Sequence, residues 1–270
     1  MNTRTLSIAI SFLFTLIASI GMSDPVKGAD AKDQSEIEYI DRTLEVEGQE
    51  YKWTIMIPPS AKKGGSGLLF LHGLGETGDN GKSHLKVGLP PAVEQNPEAW
   101  PFILIVPQKP TRSDWDFHES AVIEMLDQAI EEGFVDPDKL AITGLSQGGH
   151  GTLSIAANHP ERFVAAAPIC GYAQIAFDEK GDSVPLPSMS EYRILMLDVA
   201  EKIKDIPIWL FHGENDSAVP VLSSRAMNHT LESVGADVKY TEFPGVDHDS
   251  WDPAYEMKEL ADWFIEHTQE

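Results

Sequence analysis

Apolar and polar positions alternate through "IEYIDRTLEVEGQEYKWTIMIPP", on both sides of Glu47-Gly48. That period of two predicts an antiparallel strand pair turning at Glu47-Gly48. Farther along, the alternation gives way to short continuous apolar runs: "GLLFLHG", "PFILIVPQ", "DKLAITGLS", "RFVAAAPIC" and "IPIWLFHG". Such runs suit strands buried on both faces. "DVKYTEFPG" reads as a last strand.

Helical spacing fills the intervals. "ESAVIEMLDQAIEEGF" places Val122, Met125, Leu126 and Ile130 on one face, with Gly133 near its end. "GGHGTLSIAANHP" reads as a second helix, stopped before Pro160. "RILMLDVAEKIK" and "SSRAMNHTLESVG" follow, and "AYEMKELADWFIEHTQ" reads as one closing helix. Strands alternating with helices predict an α/β fold: a mostly parallel central sheet, helices on both faces and an N-terminal antiparallel hairpin. The stretch 172–205 is long for one crossover and dense in Gly, Pro and Ser. It reads as an excursion at the end of the sheet, placed to overhang the site as a lid. Tyr172, Phe177, Leu186, Met189 and Tyr192 are its expected apolar wall.

The amino terminus follows a different pattern. Arg4 precedes an apolar stretch from Leu6 to Met22, and Val26-Lys27-Gly28-Ala29 offers small residues for cleavage. Residues 1–29 read as a secretory signal peptide, the alternative being an uncleaved anchor. The remainder, 30–270, reads as a single domain. The expected location is secreted or periplasmic, with no stable membrane association after cleavage.

The 270 residues are 42% hydrophobic, ordinary for a globular chain, and carry a formal net charge of −23. So acidic a surface repels nucleic acid and anionic membranes. Cys170 is the single cysteine, which rules out an intramolecular disulfide; its apolar setting reads as a buried small side chain.

"AITGLSQGGHGT" carries the chemistry. Gly144-Leu145-Ser146-Gln147-Gly148 fits G-x-S-x-G between a strand and a helix, a tight elbow that exposes the central hydroxyl. A serine needs a base. Of the nine histidines, His248 follows the last strand in "GVDHDSW", whereas His150 lies one helical turn past Ser146 and faces away. His84 and His118 read as exposed polar residues. Asp216, after the strand ending at His212, is the expected acid; Glu214, Asp247 and Asp249 compete, the two aspartates lying too near His248 in sequence to support its ring easily. The order Ser146, Asp216, His248 is that of serine–acid–histidine hydrolases on α/β sheets. The N–H of Gln147 and, from the Gly-rich "LHGLGETGDN", that of Leu74 are the expected oxyanion donors. Trp115, in "TRSDWDFH", is a candidate for lining the substrate pocket.

Taken together, "LHGLGETG", "GLSQGG", "HGENDSAVP" and "GVDHDSW" resemble the α/β-hydrolase superfamily. The first two are similar to its phospholipase/carboxylesterase branch, and the last two to secreted feruloyl-esterase and predicted-peptidase relatives. The resemblance runs from about Ile37 to the C-terminus. It implies a serine carboxylesterase acting on a small-molecule or polysaccharide-linked ester, without metal or cofactor. A peptidase or thioesterase with the same residues, or an inactive hydrolase fold used for binding, are the rival expectations. Oligomeric state is not legible in the chain.

Overall fold

The computed structural model describes residues 36–185 and 187–269. The expected signal segment, 1–29, and Leu186 lie outside the described residues. Ser35–Glu270 form one compact unit.

Its strands, in chain order, are β1 (Glu38–Val46), β2 (Gln49–Ile57), β3 (Gly65–Leu71), β4 (Ile103–Gln108), β5 (Val135–Leu145), β6 (Ala165–Ile169), β7 (Ile208–Gly213) and β8 (Val238–Phe243). They form one eight-stranded sheet in the order β1-β2-β4-β3-β5-β6-β7-β8. β1 and β2 pair antiparallel, as does β2 with β4, and every other pairing is parallel. The hairpin turn at Glu47-Gly48 has φ +52° and +83°. Two positive φ values make a turn whose twist matches that of the flanking strands.

Seven helices are described: α1 (Leu89–Gln95), α2 (Glu119–Glu131), α3 (Gln147–Asn158), α4 (Met189–Ile203), α5 (Leu222–Ser233), α6 (Trp251–Glu256) and α7 (Lys258–Gln269). They split the core into two layers. Alternate residues of β3 and β4 point to opposite faces. Leu69, Leu71, Ile103 and Ile105 meet Met125, Leu153, Ile203 and Leu231 on one side. Leu68, Phe70, Leu104 and Val106 meet Val93, Tyr255, Leu260 and Phe264 on the other. Full burial of each such side chain contributes about 1.5–3 kcal/mol.

Two expectations change, and one element appears that the patterns above do not offer: "LPPAVEQ" forms α1, its prolines occupying the first turn, where no backbone N–H is needed. The closing helix is two helices, broken at Met257, whose ψ of 118° is extended. The break lets α6 pack beside α1 while α7 lies across β5 and β6. The excursion also divides. Its second half is α4, which starts on a capping box at Ser188 and packs against α3 and α5 as part of a side layer. Tyr192 packs on the core, and Met189 is 70% exposed. Tyr172 and Phe177 remain at the end of the sheet.

The elbow depends on close backbone approach. A Cβ on Gly148 would stand 1.9 Å from the Leu71 carbonyl oxygen, whereas one on Gly75 would meet nothing within 4 Å. Gly148→Ala should therefore destabilise the protein by about 1–3 kcal/mol or more, since strand backbone cannot step aside. Gly75→Ala should stay within about 0.5 kcal/mol. Urea titration of both variants checks this; equal midpoints would contradict it.

Candidate active site

Ser146 is the residue between β5 and α3. It holds φ +54° and ψ −116°, a conformation costing of order 1–3 kcal/mol for a side chain with a Cβ. Its N–H donates to the Ile169 carbonyl at 2.9 Å, which ties the elbow to β6. Gly144 is small for the same reason as Gly148: a Cβ there would strike the Gly148 carbonyl at 2.4 Å.

The expected partners converge on it. His248 Nε2 lies 2.9 Å from Ser146 Oγ, and His248 Nδ1 lies 2.8 Å from Asp216 Oδ2. The carboxylate only accepts, so Nδ1 carries the proton and Nε2 is free to accept from the serine hydroxyl. The Asp216 side chain is fully buried. Its Oδ1 accepts from the N–H groups of Ala218 and Val219 at 2.9 and 2.7 Å. Burial alone would raise its pKa. Hydrogen bonds from His212, His248 and the Val219 N–H outweigh that and hold the carboxyl well below the usual range.

The competing acids do other work. Asp247 Oδ1 accepts from the N–H groups of Ser217 and His248, at 2.7 and 2.8 Å, and so clips the Asp216 turn to the His248 loop. Glu214 accepts from the Gly245 N–H at 2.8 Å. Trp251 stands edge-on to the His248 ring, 5.3 Å between centroids.

Gln147, one expected oxyanion donor, follows Ser146 directly, and the chain leading to the other, Leu74, passes close by it at Gly73. Gln147 is the first residue of α3, where backbone N–H groups have no partner within the helix. Leu74 opens a short 3-10 turn after Gly73, and a Cβ on Gly73 would lie 3.6 Å from Ser146 Cβ.

Trp115 requires a correction. It is 1% exposed, its indole N–H donates to the His72 carbonyl at 3.0 Å, and it packs where a Cβ on Gly151 would fall. It has no surface to offer a substrate; it braces the turn leading to Leu74. His84 and His118 are also buried rather than exposed. Burial, then Lys109, pushes His118 down to about 3. His150 faces away from Ser146 as expected. It bonds Asp116 and the Tyr172 carbonyl at 2.7 and 2.9 Å.

Residues 114–270, more than half of the chain, match the prolyl oligopeptidase family. The chain belongs to that family. It is similar to a thermostable esterase of known structure, with 30% identity and a TM-score of 0.69, over 84% of this chain and 62% of that one. Carboxylesterase SOBER1 of Arabidopsis thaliana is 27% identical over 222 residues, 73% of this chain and 88% of the relative. An uncharacterized secreted protein of Arthroderma benhamiae is 33% identical over 124 residues, 43% of this chain. The chain spans only 13% of that fungal protein's length. These likenesses give the protein the α/β-hydrolase fold, with esterases and peptidases among its kin.

Sequence reasoning missed several groups that hold this site. His212 Nε2 faces only acceptors, the Val219 carbonyl at 3.0 Å and Asp216 Oδ2 at 3.1 Å, so it carries a proton and steadies the same Asp216 oxygen that His248 meets. His72 Nε2 accepts the Lys109 N–H at 3.2 Å, leaving Nδ1 to donate to the Gly73 carbonyl. Burial and the Lys109 charge keep its ring neutral. "LHG" and "FHG" signalled both, since each histidine ends a strand at the same edge as Ser146. Cys170 Sγ, an Asp216 oxygen and a His248 nitrogen lie within 4.8 Å of one another, the one potential ligand cluster among the described residues. Two of the three already bond each other, and burial pushes the Cys170 thiol up, away from the thiolate a metal needs.

Lys109 is fully buried. Its Nζ donates to Thr77 Oγ1 and to the Thr111 carbonyl, each at 2.9 Å. Burial lowers its pKa from 10.5 to about 7. Between these values the unfolded chain holds a proton that the fold does not, so stability rises with pH across that window. Lys109→Met lacks this rise. The difference in unfolding free energy, wild type minus variant, should grow by about 2–3 kcal/mol from pH 7 to pH 9. Urea unfolding of both proteins at the two pH values measures it; a constant difference refutes the lowered value.

Proposed function

We propose that the protein is an exported serine hydrolase that cleaves carboxylic esters through an acyl-enzyme on Ser146. The hydrogen-bonded series Ser146–His248–Asp216 is the observation that carries this reading. In it, His248 Nε2 takes the hydroxyl proton as Oγ attacks the ester carbonyl. The oxygen of the tetrahedral adduct gains its charge against the N–H groups of Leu74 and Gln147. Asp216 stabilises the imidazolium and fixes its orientation. His248 then returns the proton to the departing alcohol, and the acyl group stays on Oγ. Water repeats the sequence: His248 deprotonates it, the carboxylic acid leaves, and Ser146 regains its proton.

An ester is favoured over other acyl bonds by the two relatives named as esterases, one of which the chain spans at 88% of its length. The family itself favours a second reading, cleavage of a peptide bond by the same groups. Export rests on the amino-terminal segment and on the likeness to a protein named as secreted. Among the described residues, no helix is long and apolar enough to cross a membrane.

Ser146→Ala should abolish labelling by a fluorophosphonate and lower kcat by roughly 10⁶-fold. Asp216→Asn should cost about 10⁴-fold, because the amide presents the ring with the wrong partner. Full turnover by the folded Ser146→Ala protein would sink the reading. A matched panel of ester, thioester and peptide substrates decides the bond; higher kcat/KM on the peptide would replace esterase by peptidase.

Export predicts a mature N-terminus between Asp24 and Asp30. N-terminal sequencing of protein recovered from the native host checks this. Intact Met1 in a membrane fraction would contradict cleavage.

A further inference from the structure

Asp114 sits in the loop after β4, fully buried, and takes no part in the proton transfers above. Its carboxylate receives four donors. Oδ1 accepts from Gln147 Nε2 at 2.9 Å and from the Tyr172 hydroxyl at 2.8 Å. Oδ2 accepts from the backbone N–H groups of Ala176 and Phe177 at 2.5 and 2.8 Å. Four accepted bonds use the full capacity of a carboxylate. The Asp114 N–H, in turn, donates to the Phe177 carbonyl.

These bonds join three segments separated in the sheet. β4 is not adjacent to β5 or β6; β3 lies between. The loop after β4 therefore crosses the end of β3 to reach the first residue of α3 and the start of the excursion after β6. Gln147 is the residue whose N–H is proposed above to receive the oxyanion, and it opens α3 directly after Ser146. Its side chain is 1% exposed, and Nε2 also donates to the Arg112 carbonyl at 2.9 Å. Two acceptors on Nε2 fix the amide's orientation, since a flip would set its oxygen against both. Oε1 is left buried with no protein partner. An amide held through one end only, in a buried place, depends on that end for its position. Arg112 also lies over the Phe177 ring, 5.6 Å from its centroid, so the same loop grips the excursion twice.

We propose that Asp114 is a positioning residue that couples the oxyanion donor Gln147 to residues 172–177, and that these residues bound the acyl pocket. One carboxylate sets both the rate of acyl transfer and the acyl size that fits. This rests on the reading of Ser146 as nucleophile. The exchange Asp114→Asn cannot satisfy all four donors: whichever way the new amide turned, its NH₂ would face two of them.

The test uses the mature full-length enzyme, a series of p-nitrophenyl esters of graded acyl length, and the variants Asp114→Asn, Gln147→Met, their double, and Ser146→Ala. Asp114→Asn should lower kcat by about 10- to 100-fold, the scale of a small misplacement of a reacting group. KM for the shortest ester should change little, and the midpoints of the pH profile should stay put because the His248–Asp216 pair is untouched. Its ranking of acyl lengths should shift. Gln147→Met keeps the volume and removes only the amide bonds; it should lower kcat comparably but leave the ranking alone. The double variant should be no slower than the slower single, the sign of two residues acting through one contact.

Wild-type kcat in either folded single variant overturns the proposal, as do losses that multiply in the double. An unshifted ranking in Asp114→Asn overturns the coupling to residues 172–177. Should Asp114→Asn not fold, Gln147→Met tests the same bond from its other end. Activity retained by Ser146→Ala would fail the nucleophile reading itself, whereas an inactive Ser146→Ala beside an unaffected Asp114→Asn fails only this inference.

Discussion

Backbone meets backbone where α3 leaves the sheet, and the site is built outward from that contact. Gly148 leans on the Leu71 carbonyl and Gly144 on Gly148, at distances no Cβ would tolerate. Ser146 is thereby forced into a positive φ, with its N–H spent on Ile169. The strain is local, and three neighbouring strands hold it. Because β3, β5 and β6 are fixed to one another by parallel pairing, the turn cannot relax without breaking the sheet. The serine hydroxyl, the first N–H of α3 and the turn after β3 consequently share one small region.

Charge is handled differently on the two sides of that region. On the His248 side, Asp216 is buried but ringed by two histidines and two backbone N–H groups, so its charge is kept. On the oxyanion side a lysine is buried with only neutral hydrogen-bond partners, and its charge is loosened. A firm anion behind the base stabilises the imidazolium. A cation that readily gives up its proton sits behind the loop carrying Leu74. In the proposed acyl transfer, that leaves the oxyanion to backbone dipoles, which need no proton bookkeeping.

Much of this was legible in the chain. Period-two alternation located β1 and β2, and continuous apolar runs located the buried strands, because each pattern reports how many faces of a strand are covered. The convergence of Ser146, Asp216 and His248 was legible because each follows a strand and so falls at one edge of a parallel sheet. Trp115 was misread because aromatic character does not say whether a ring faces a pocket or a turn. His84 and His118 were misread for a related reason: each is covered by β2, where Thr54 and Tyr51 lie 30 and 67 residues away, although His118 also bonds Ser113 and Thr111 nearby. Asp114 is invisible to pattern reading altogether, since its four donors come from two distant segments. The break at Met257 was hidden because the periodicity on both sides is helical, and only packing against α1 separates α6 from α7.

The direction of the hairpin decides where the ends of the described chain lie. β2 runs opposite to β4, and β1 opposite to β2, so Glu38 lies at the end of the sheet away from Ser146. At the other terminus, the Thr268 carbonyl accepts from Ser66 Oγ at 3.5 Å, near the start of β3 and at that same far end. The described chain is therefore entered and left on one side and works on the other. Chain that joins the domain at Glu38 and chain that leaves it past Thr268 do so behind the sheet, with the thickness of the domain between them and Ser146.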